Sequence, residues 1–231
     1  MADSNRLFLE MFSDRDRIAN YSEGPKRFTP GLDAVHRMTS ILLAEHAPDD
    51  AHVLVLGAGG GLELKALADT HLGWRFTGVD PAGPMLDLAR ETMGKEAGRA
   101  ELVEGYVDAA PVGPFDAATC LLTLHFLDRE ERVQTLSAMH RRLKPGAPLV
   151  VVHSSFPQDE PARTRWLARY AAFAVASGAD PAQTEQARIA VSASLALLTP
   201  DEDEVCLRDA GFGEVELFYA AFTWRGWLAR A

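Results

Sequence analysis

Cysteine is almost missing from this 231-residue chain: Cys120 and Cys206 stand alone, with no CxxC pair and no Cys/His spacing suited to zinc. That excludes a disulfide scaffold and a zinc framework, and no metal is expected; a reducing, cytoplasmic setting is the expected one. Long apolar runs are missing too. No stretch approaches the roughly 20 residues that a helix needs to cross a bilayer, and the opening MADSNRLFLEMFSDRDR is too charged for a secretory leader. No membrane partner is therefore expected. A basic stripe is also lacking. The net charge is −10, and the basic clusters are short, Arg141, Arg142 and Lys144, then Arg163, Arg165 and Arg169, each read as a solvated helix face. Proteins that hold nucleic acid neutralise its phosphates with concentrated basic surface. Nucleic acid is accordingly disfavoured as a partner, and a small molecule is favoured.

What is present is an alternation. The apolar run HVLVLG shows no polar interruption, as a strand covered on both faces does. GLELKALADTHL then reads as a helix, WRFTGVD as a strand, PMLDLARETMGKEAG as a helix and AELVEGY as a strand. FDAATCLLTL is a strand, DREERVQTLSAMHRRL a helix stopped by Pro145-Gly146, and APLVVVH a strand. This rhythm predicts an α/β fold with a doubly wound, mainly parallel sheet. Residues 1–50 read as a helical cap, broken near YSEGPKRFTPG and resuming in LDAVHRMTSILLAEHA. Residues 51–156 form the core. Residues 157–198 read as two helices with no strand between them, an insertion after the fifth strand placed to wall a substrate. Residues 199–231 supply a helix capped by Thr199-Pro200 and a terminal pair of strands. All of this fits one domain.

Between the first strand and its helix lies Gly57-Ala58-Gly59-Gly60-Gly61. Glycines there let the backbone approach a ligand and take φ values closed to other residues. Asp80 ends the next strand, 23 positions after Gly57, where a carboxylate can accept from both hydroxyls of a ribose. Capping of the helix in PAGPMLDLAR is its competing role. The dinucleotide fingerprint wants a third small residue where Leu62 stands, and no GK[ST] follows for a phosphate loop.

The ordered blocks VLVLGAGGG, FTGVDPAGPMLDLAR, LVEGYVDAAP, FDAATCLLTLHFL and MHRRLKPGAPLVVVH together resemble the class I S-adenosylmethionine-dependent methyltransferases. The resemblance covers residue 27 to the C-terminus. It implies a Rossmann-like seven-stranded sheet with the last strand antiparallel, S-adenosyl-L-methionine as cofactor, and S-adenosyl-L-homocysteine as product. It also implies cofactor contacts from Gly57, Ala58, Gly59, Gly61, Asp80, Pro81, Met85, Tyr106, Val107, Asp108, Leu121 and Leu122. Two positions depart from the family pattern. Val55 stands where an acidic residue usually orients the cofactor's amino-acid end. Tyr106 stands where an acidic residue usually meets the adenine amino group, with Asp108 as its candidate stand-in. The segments RFTPGLDAVHRMTSILLAEHAPDDAHVLVLG and LHFLDREERVQTL and the insertion further resemble the carboxy-S-adenosylmethionine synthases of the tRNA wobble-uridine pathway. In that family an arginine of the insertion binds the cofactor's added carboxylate, and Arg188 falls at the matching place. Leu32 and His153-Ser154-Ser155 depart from that family's pattern.

A sulfonium methyl is already activated, so the chemistry asks mainly for alignment and exclusion of water. The apolar rim Cys120-Leu121-Leu122-Thr123 suits a small, partly apolar acceptor. A base is required only where the acceptor must lose a proton. His125 and His153, each just past a strand end, are the candidates, with local packing as the alternative role. Tyr21, in the N-terminal segment, is a further candidate to close over the methyl group, and a homodimer is compatible with this reading. A non-catalytic module that only binds the cofactor remains the other alternative.

Overall fold

The computed structural model describes Phe12 and residues 23–231. Its centre is a seven-stranded sheet in the order β3-β2-β1-β4-β5-β7-β6. The strands are β1 (His52–Leu56), β2 (Arg75–Asp80), β3 (Ala100–Glu104), β4 (Ala117–Leu121), β5 (Pro148–Ser154), β6 (Gly213–Ala221) and β7 (Trp224–Arg230). β1 pairs in parallel with both β2 and β4, and β4 with β5, whereas β7 runs antiparallel between β5 and β6. The expected antiparallel strand and terminal hairpin are therefore present. The chain goes one way from β1 to β2 and β3, then returns to the other side of β1 to lay down β4. That reversal opens a crevice beyond the C-terminal ends of β1 and β4.

Alternation along each strand divides the interior. Val53 and Val55 face a core with α2 (Leu32–Ala44), α3 (Leu62–Thr70) and α4 (Gly83–Met93), through Val35, Leu43, Leu64, Leu67 and Leu86. Leu54 and Leu56 face the opposite core, closed by Leu136 and Met139 of α5 (Arg129–His140) and Leu207 of α8 (Pro200–Asp209). Both faces of β1 and β4 are dry, which is why those strands read as unbroken apolar runs. The insertion is the helix pair α6 (Ala162–Ala176) and α7 (Pro181–Ser194), pinned by Arg163, which donates to Ser192 Oγ at 2.9 Å and Ser192 O at 2.7 Å.

Several boundaries differ from the sequence expectation. A short helix, α1 (Glu23–Phe28), runs through Gly24-Pro25, where a break was expected. Pro25 sits in its first turn, where no helical N–H is needed. The break falls at Thr29-Pro30, and Gly31 enters α2 at φ 67°. α4 stops at Met93 because Gly94 takes φ 56°, and residues 94–99 tighten into a 3-10 turn. The third and fourth strands are shorter than expected, ending before Gly105 (φ 146°) and Leu122 (φ 56°). Thr199 caps α8 as expected, in a reciprocal box with Glu202. The cap is held to the far hairpin, since Trp224 Nε1 donates to Phe28 O at 2.9 Å and Tyr219 Oη to Pro30 O at 2.6 Å.

Candidate functional site

The glycine segment turns from β1 into α3 through three positive φ values, Gly57 at 75°, Gly59 at 47° and Gly61 at 80°. Two of them also lack room for a side chain. A Cβ on Gly57 would lie 1.9 Å from Thr123 Oγ1, and one on Gly61 would lie 2.7 Å from Ala89 Cα. The turn thus lies flat against the end of β4 on one side and against α4 on the other. Its backbone forms the floor of the crevice.

Asp80 locks this floor. Gly59 N–H donates to its Oδ2 at 2.9 Å, and Ala82 N–H donates to its Oδ1 at 2.9 Å. Burial pushes the Asp80 carboxyl upward, and these two backbone donors pull it back. Each oxygen keeps a second acceptor site. Asp80 therefore fills both roles weighed for it, tethering the entry to α4 and presenting a carboxylate pair beside the glycine turn.

Ala82 and Met85 are buried with Pro81 beside them, and Phe12 of the N-terminal segment packs on that pair. Phe12 also meets Phe126 edge-on at 6.1 Å, so one apolar side chain bridges the β2 and β4 sides of the crevice. Tyr106 is half-exposed, and partial burial, joined by the charges of Glu131 and Asp80, raises its hydroxyl's pKa. Val107 is buried in the turn that follows. Leu121 is buried at the end of β4, and Leu122 holds a left-handed backbone unusual for a branched residue. Its N–H donates to Val152 O at 2.6 Å. Gly57, Ala58, Gly59, Gly61, Asp80, Tyr106, Leu121 and Leu122 thus converge on one crevice.

Asp108 does not join them. Its side chain is 87% exposed and lies 4.0 Å from Arg142, whose carbonyl accepts from Phe115 at the entry to β4. Its carboxylate is turned to solvent and Arg142, so the structure does not bring it into the crevice as the stand-in for the acid missing at Tyr106. His153 is corrected as well. It is fully buried on the far face of β5 under Trp227, with Nε2 3.1 Å from Asp203 Oδ1. Burial lowers its pKa despite Asp203, and Arg132, which already neutralises that carboxylate, lowers it further. The neutral ring is closed off from solvent. His125 is buried too, edge-on to Trp224 at 5.5 Å, with Ser154 N–H 3.5 Å from its Nδ1, so the packing role is the one its geometry supports. Arg188, on α7, spends its guanidinium on Glu185 at 2.7 and 2.6 Å. Tyr21 lies outside the described residues. Among the described residues, no helix is long and apolar enough to cross a membrane.

Two features escaped the sequence reading. Arg132, Asp203 and His153 form a buried polar column joining α5, α8 and β5; Arg132 pairs with Asp203 and also donates to Leu127 O and Ala196 O, each at 3.1 Å. Nothing in sequence spacing announces a pair 71 positions apart. The second is Glu63, a buried carboxyl in the first turn of α3. A signal for it existed. Glu63 occupies the apolar stripe shared with Leu67, where a charge contradicts the helix pattern.

Residues 53–146 match the family model of a methyltransferase domain. A carboxy-S-adenosyl-L-methionine synthase of Chromohalobacter salexigens is 29% identical, over 95% of this chain and 86% of its own. Among solved structures, an O-methyltransferase-like protein of Nostoc punctiforme superposes with a TM-score of 0.65 at 19% identity, over 86% of this chain; this chain spans only 56% of that one. A SAM-dependent methyltransferase of Aquifex aeolicus superposes with a TM-score of 0.63 at 17% identity, over 94% of this chain and 98% of its own. The chain thus carries a match to a methyltransferase domain at residues 53–146, set in a seven-stranded sheet whose fold it shares with these solved structures.

Proposed function

We propose that the protein transfers a methyl group from S-adenosyl-L-methionine to a small-molecule acceptor in the cytoplasm. The observation that carries this reading is the glycine turn itself: a cradle that a Cβ at Gly57 or Gly61 would fill, tethered by Asp80. Those residues fit the cofactor. Gly57, Ala58, Gly59 and Gly61 would lie along its amino-acid end, Asp80 would accept from its ribose hydroxyls, and Met85, Tyr106 and Val107 would line its base. Bound there, the cofactor would supply a methyl group already activated by its sulfonium. The chain's own contribution is to align and to keep water out. Phe12, Met85, Phe126 and Leu121 supply apolar walls for that purpose. The buried state of His125 and His153 supports an acceptor that needs no protein base. Isothermal titration with S-adenosyl-L-methionine tests the reading: micromolar binding is expected, and no heat at millimolar cofactor would overturn it.

A second reading is a carboxy-S-adenosylmethionine synthase-like reaction, favoured by the name and near-complete overlap of the Chromohalobacter relative. The Arg188–Glu185 pairing speaks for the methyltransferase, because it leaves the guanidinium already engaged. Mass analysis of ligand released from the purified protein separates the two, since a carboxylated cofactor is heavier by a carboxyl group.

A further inference from the structure

Glu63 lies in the first turn of α3, two residues beyond Gly61, with only 7% of its surface exposed. Among the described residues, the one polar side chain set against its carboxyl is Thr119 of β4, too loosely placed to make a well-formed hydrogen bond to Oε1. Thr119 is registered against Val55, and Leu121, two residues on, forms the crevice wall facing the glycine turn. The carboxyl therefore sits directly behind the floor on which a ligand would rest. Among the described residues, no cation compensates it. The polar groups near it are Thr119 and Cys120 from β4; α2, which packs on α3, contributes buried His36 and Thr39 to that packing, whereas its Ser40 bonds His71 at the other end of α3. His36 is itself held neutral, its pKa lowered to about 4 by burial. β1 offers only apolar side chains on this face.

An unpaired carboxyl is costly to bury, and a leucine would pack against Leu67 and Val55 at no such cost. A carboxyl kept there behind a ligand-binding floor has the chemistry of a latent counter-charge. We propose that Glu63 is a cofactor-binding residue that provides the negative charge for the ammonium of the cofactor's amino-acid end. The inference rests on the reading of the crevice as an adenosyl-cofactor site. Without ligand, burial holds the carboxyl protonated, its pKa raised to about 8 with only partial relief from Thr119. When the ammonium arrives, the carboxyl ionises and its proton passes to solvent, so the pair forms with no net change in charge behind the floor. Position 55, which carries valine, is then relieved of supplying an acid.

The test is calorimetric and independent of turnover. S-adenosyl-L-methionine, S-adenosyl-L-homocysteine and 5′-methylthioadenosine are titrated into the wild type and into Glu63→Gln, at pH 7 in two buffers of different ionisation enthalpy. Gln keeps the shape and neutrality of the protonated acid, so folding is preserved, and melting curves of both proteins check it. The expected result is that Glu63→Gln weakens the first two ligands about 10- to 100-fold, the range of a charge-assisted contact, and leaves 5′-methylthioadenosine, which has no ammonium, unchanged. Proton release on binding the first two is expected in the wild type and absent from the variant. Equal affinity of both proteins for all three ligands would overturn the inference and leave the crevice reading intact. Equal loss of all three would also overturn it, by assigning Glu63 a purely structural role. Failure of the wild type to bind any of the three would overturn the crevice reading, and the inference with it.

Discussion

Two acidic side chains on opposite faces of the sheet are both buried and live in different states. Glu63 lies behind the glycine turn without a cation, and burial drives its pKa up to about 8. Asp203 lies beside the C-terminal end of β5, on the other face, with Arg132 and His153, and its pKa is driven down although burial alone would raise it. Burial sets the stakes, and the partner sets the sign. The Asp203 region is thereby committed. Its charge is neutralised within the fold, and the pair ties α5 to α8 and to the end of the insertion at Ala196. The Glu63 region is left uncommitted, which suits a place that meets a charged ligand.

The largest expected effect breaks the committed side. Asp203→Ala strands Arg132 in the interior without a counter-charge, and we expect a loss of about 3–5 kcal/mol in urea denaturation. The same pair predicts an acid limit. Because the folded Asp203 has a lowered pKa, its contribution is complete above the unfolded value of 3.8 and is lost as pH falls through the depressed one. Acid titration of the wild type followed by circular dichroism checks this limb. If Asp203→Ala unfolds at the wild-type urea midpoint, the column is ornamental.

Next in size is the tether of the glycine turn. Asp80→Ala removes the acceptor for the Gly59 and Ala82 N–H groups and the carboxylate assigned to the ribose. We expect about 2–3 kcal/mol less binding energy for S-adenosyl-L-methionine, the scale of hydrogen bonds to a charged group. Titration calorimetry reads it directly. Unchanged affinity would show that the crevice organises itself without its acid.

The contrast between the two acids also separates what a sequence discloses from what it hides. The glycine turn, the acid after β2 and the alternation of strands and helices were legible because each follows from backbone chemistry at short range. Gly57 must be glycine, since Thr123 leaves no space for a Cβ, and that demand shows as a repeated letter. The Arg132–Asp203–His153 column was not legible. Its members come from α5, α8 and β5, and only the folded sheet brings them together. His153 looked available because it follows a strand run, whereas the pairing of β5 with β7 puts it under Trp227. Asp108 looked near the cofactor by count, and the turn at Val107–Ala109 sends it toward Arg142 instead.

A smaller effect sharpens the uncommitted side. Glu63→Leu replaces a buried unpaired carboxyl with an apolar group of similar size, and we expect a gain of roughly 1–3 kcal/mol in folding stability. The gain should depend on pH. The folded state holds the Glu63 proton up to about 8 while the unfolded chain releases it near 4.5, so the wild type loses stability as pH rises between those values. The melting difference between variant and wild type should widen from pH 5 to pH 8. A pH-independent difference would mean that Glu63 is charged throughout and already paired.

The smallest effect concerns a third acid, Glu185, which has a partner and no burial. Arg188 lowers its pKa by a bidentate contact at the surface of α7. Water screens such a pair, and holding two long side chains together opposes what attraction remains. Arg188→Ala should therefore melt with the wild type and bind S-adenosyl-L-methionine as the wild type does. Binding of carboxy-S-adenosyl-L-methionine, measured on the same two proteins, asks whether the arginine leaves Glu185 for a ligand. Equal affinity would confine Arg188 to its surface pair. A selective loss for the carboxylated ligand would show that the insertion swings its guanidinium into the crevice, making the surface pair the resting position of a binding group.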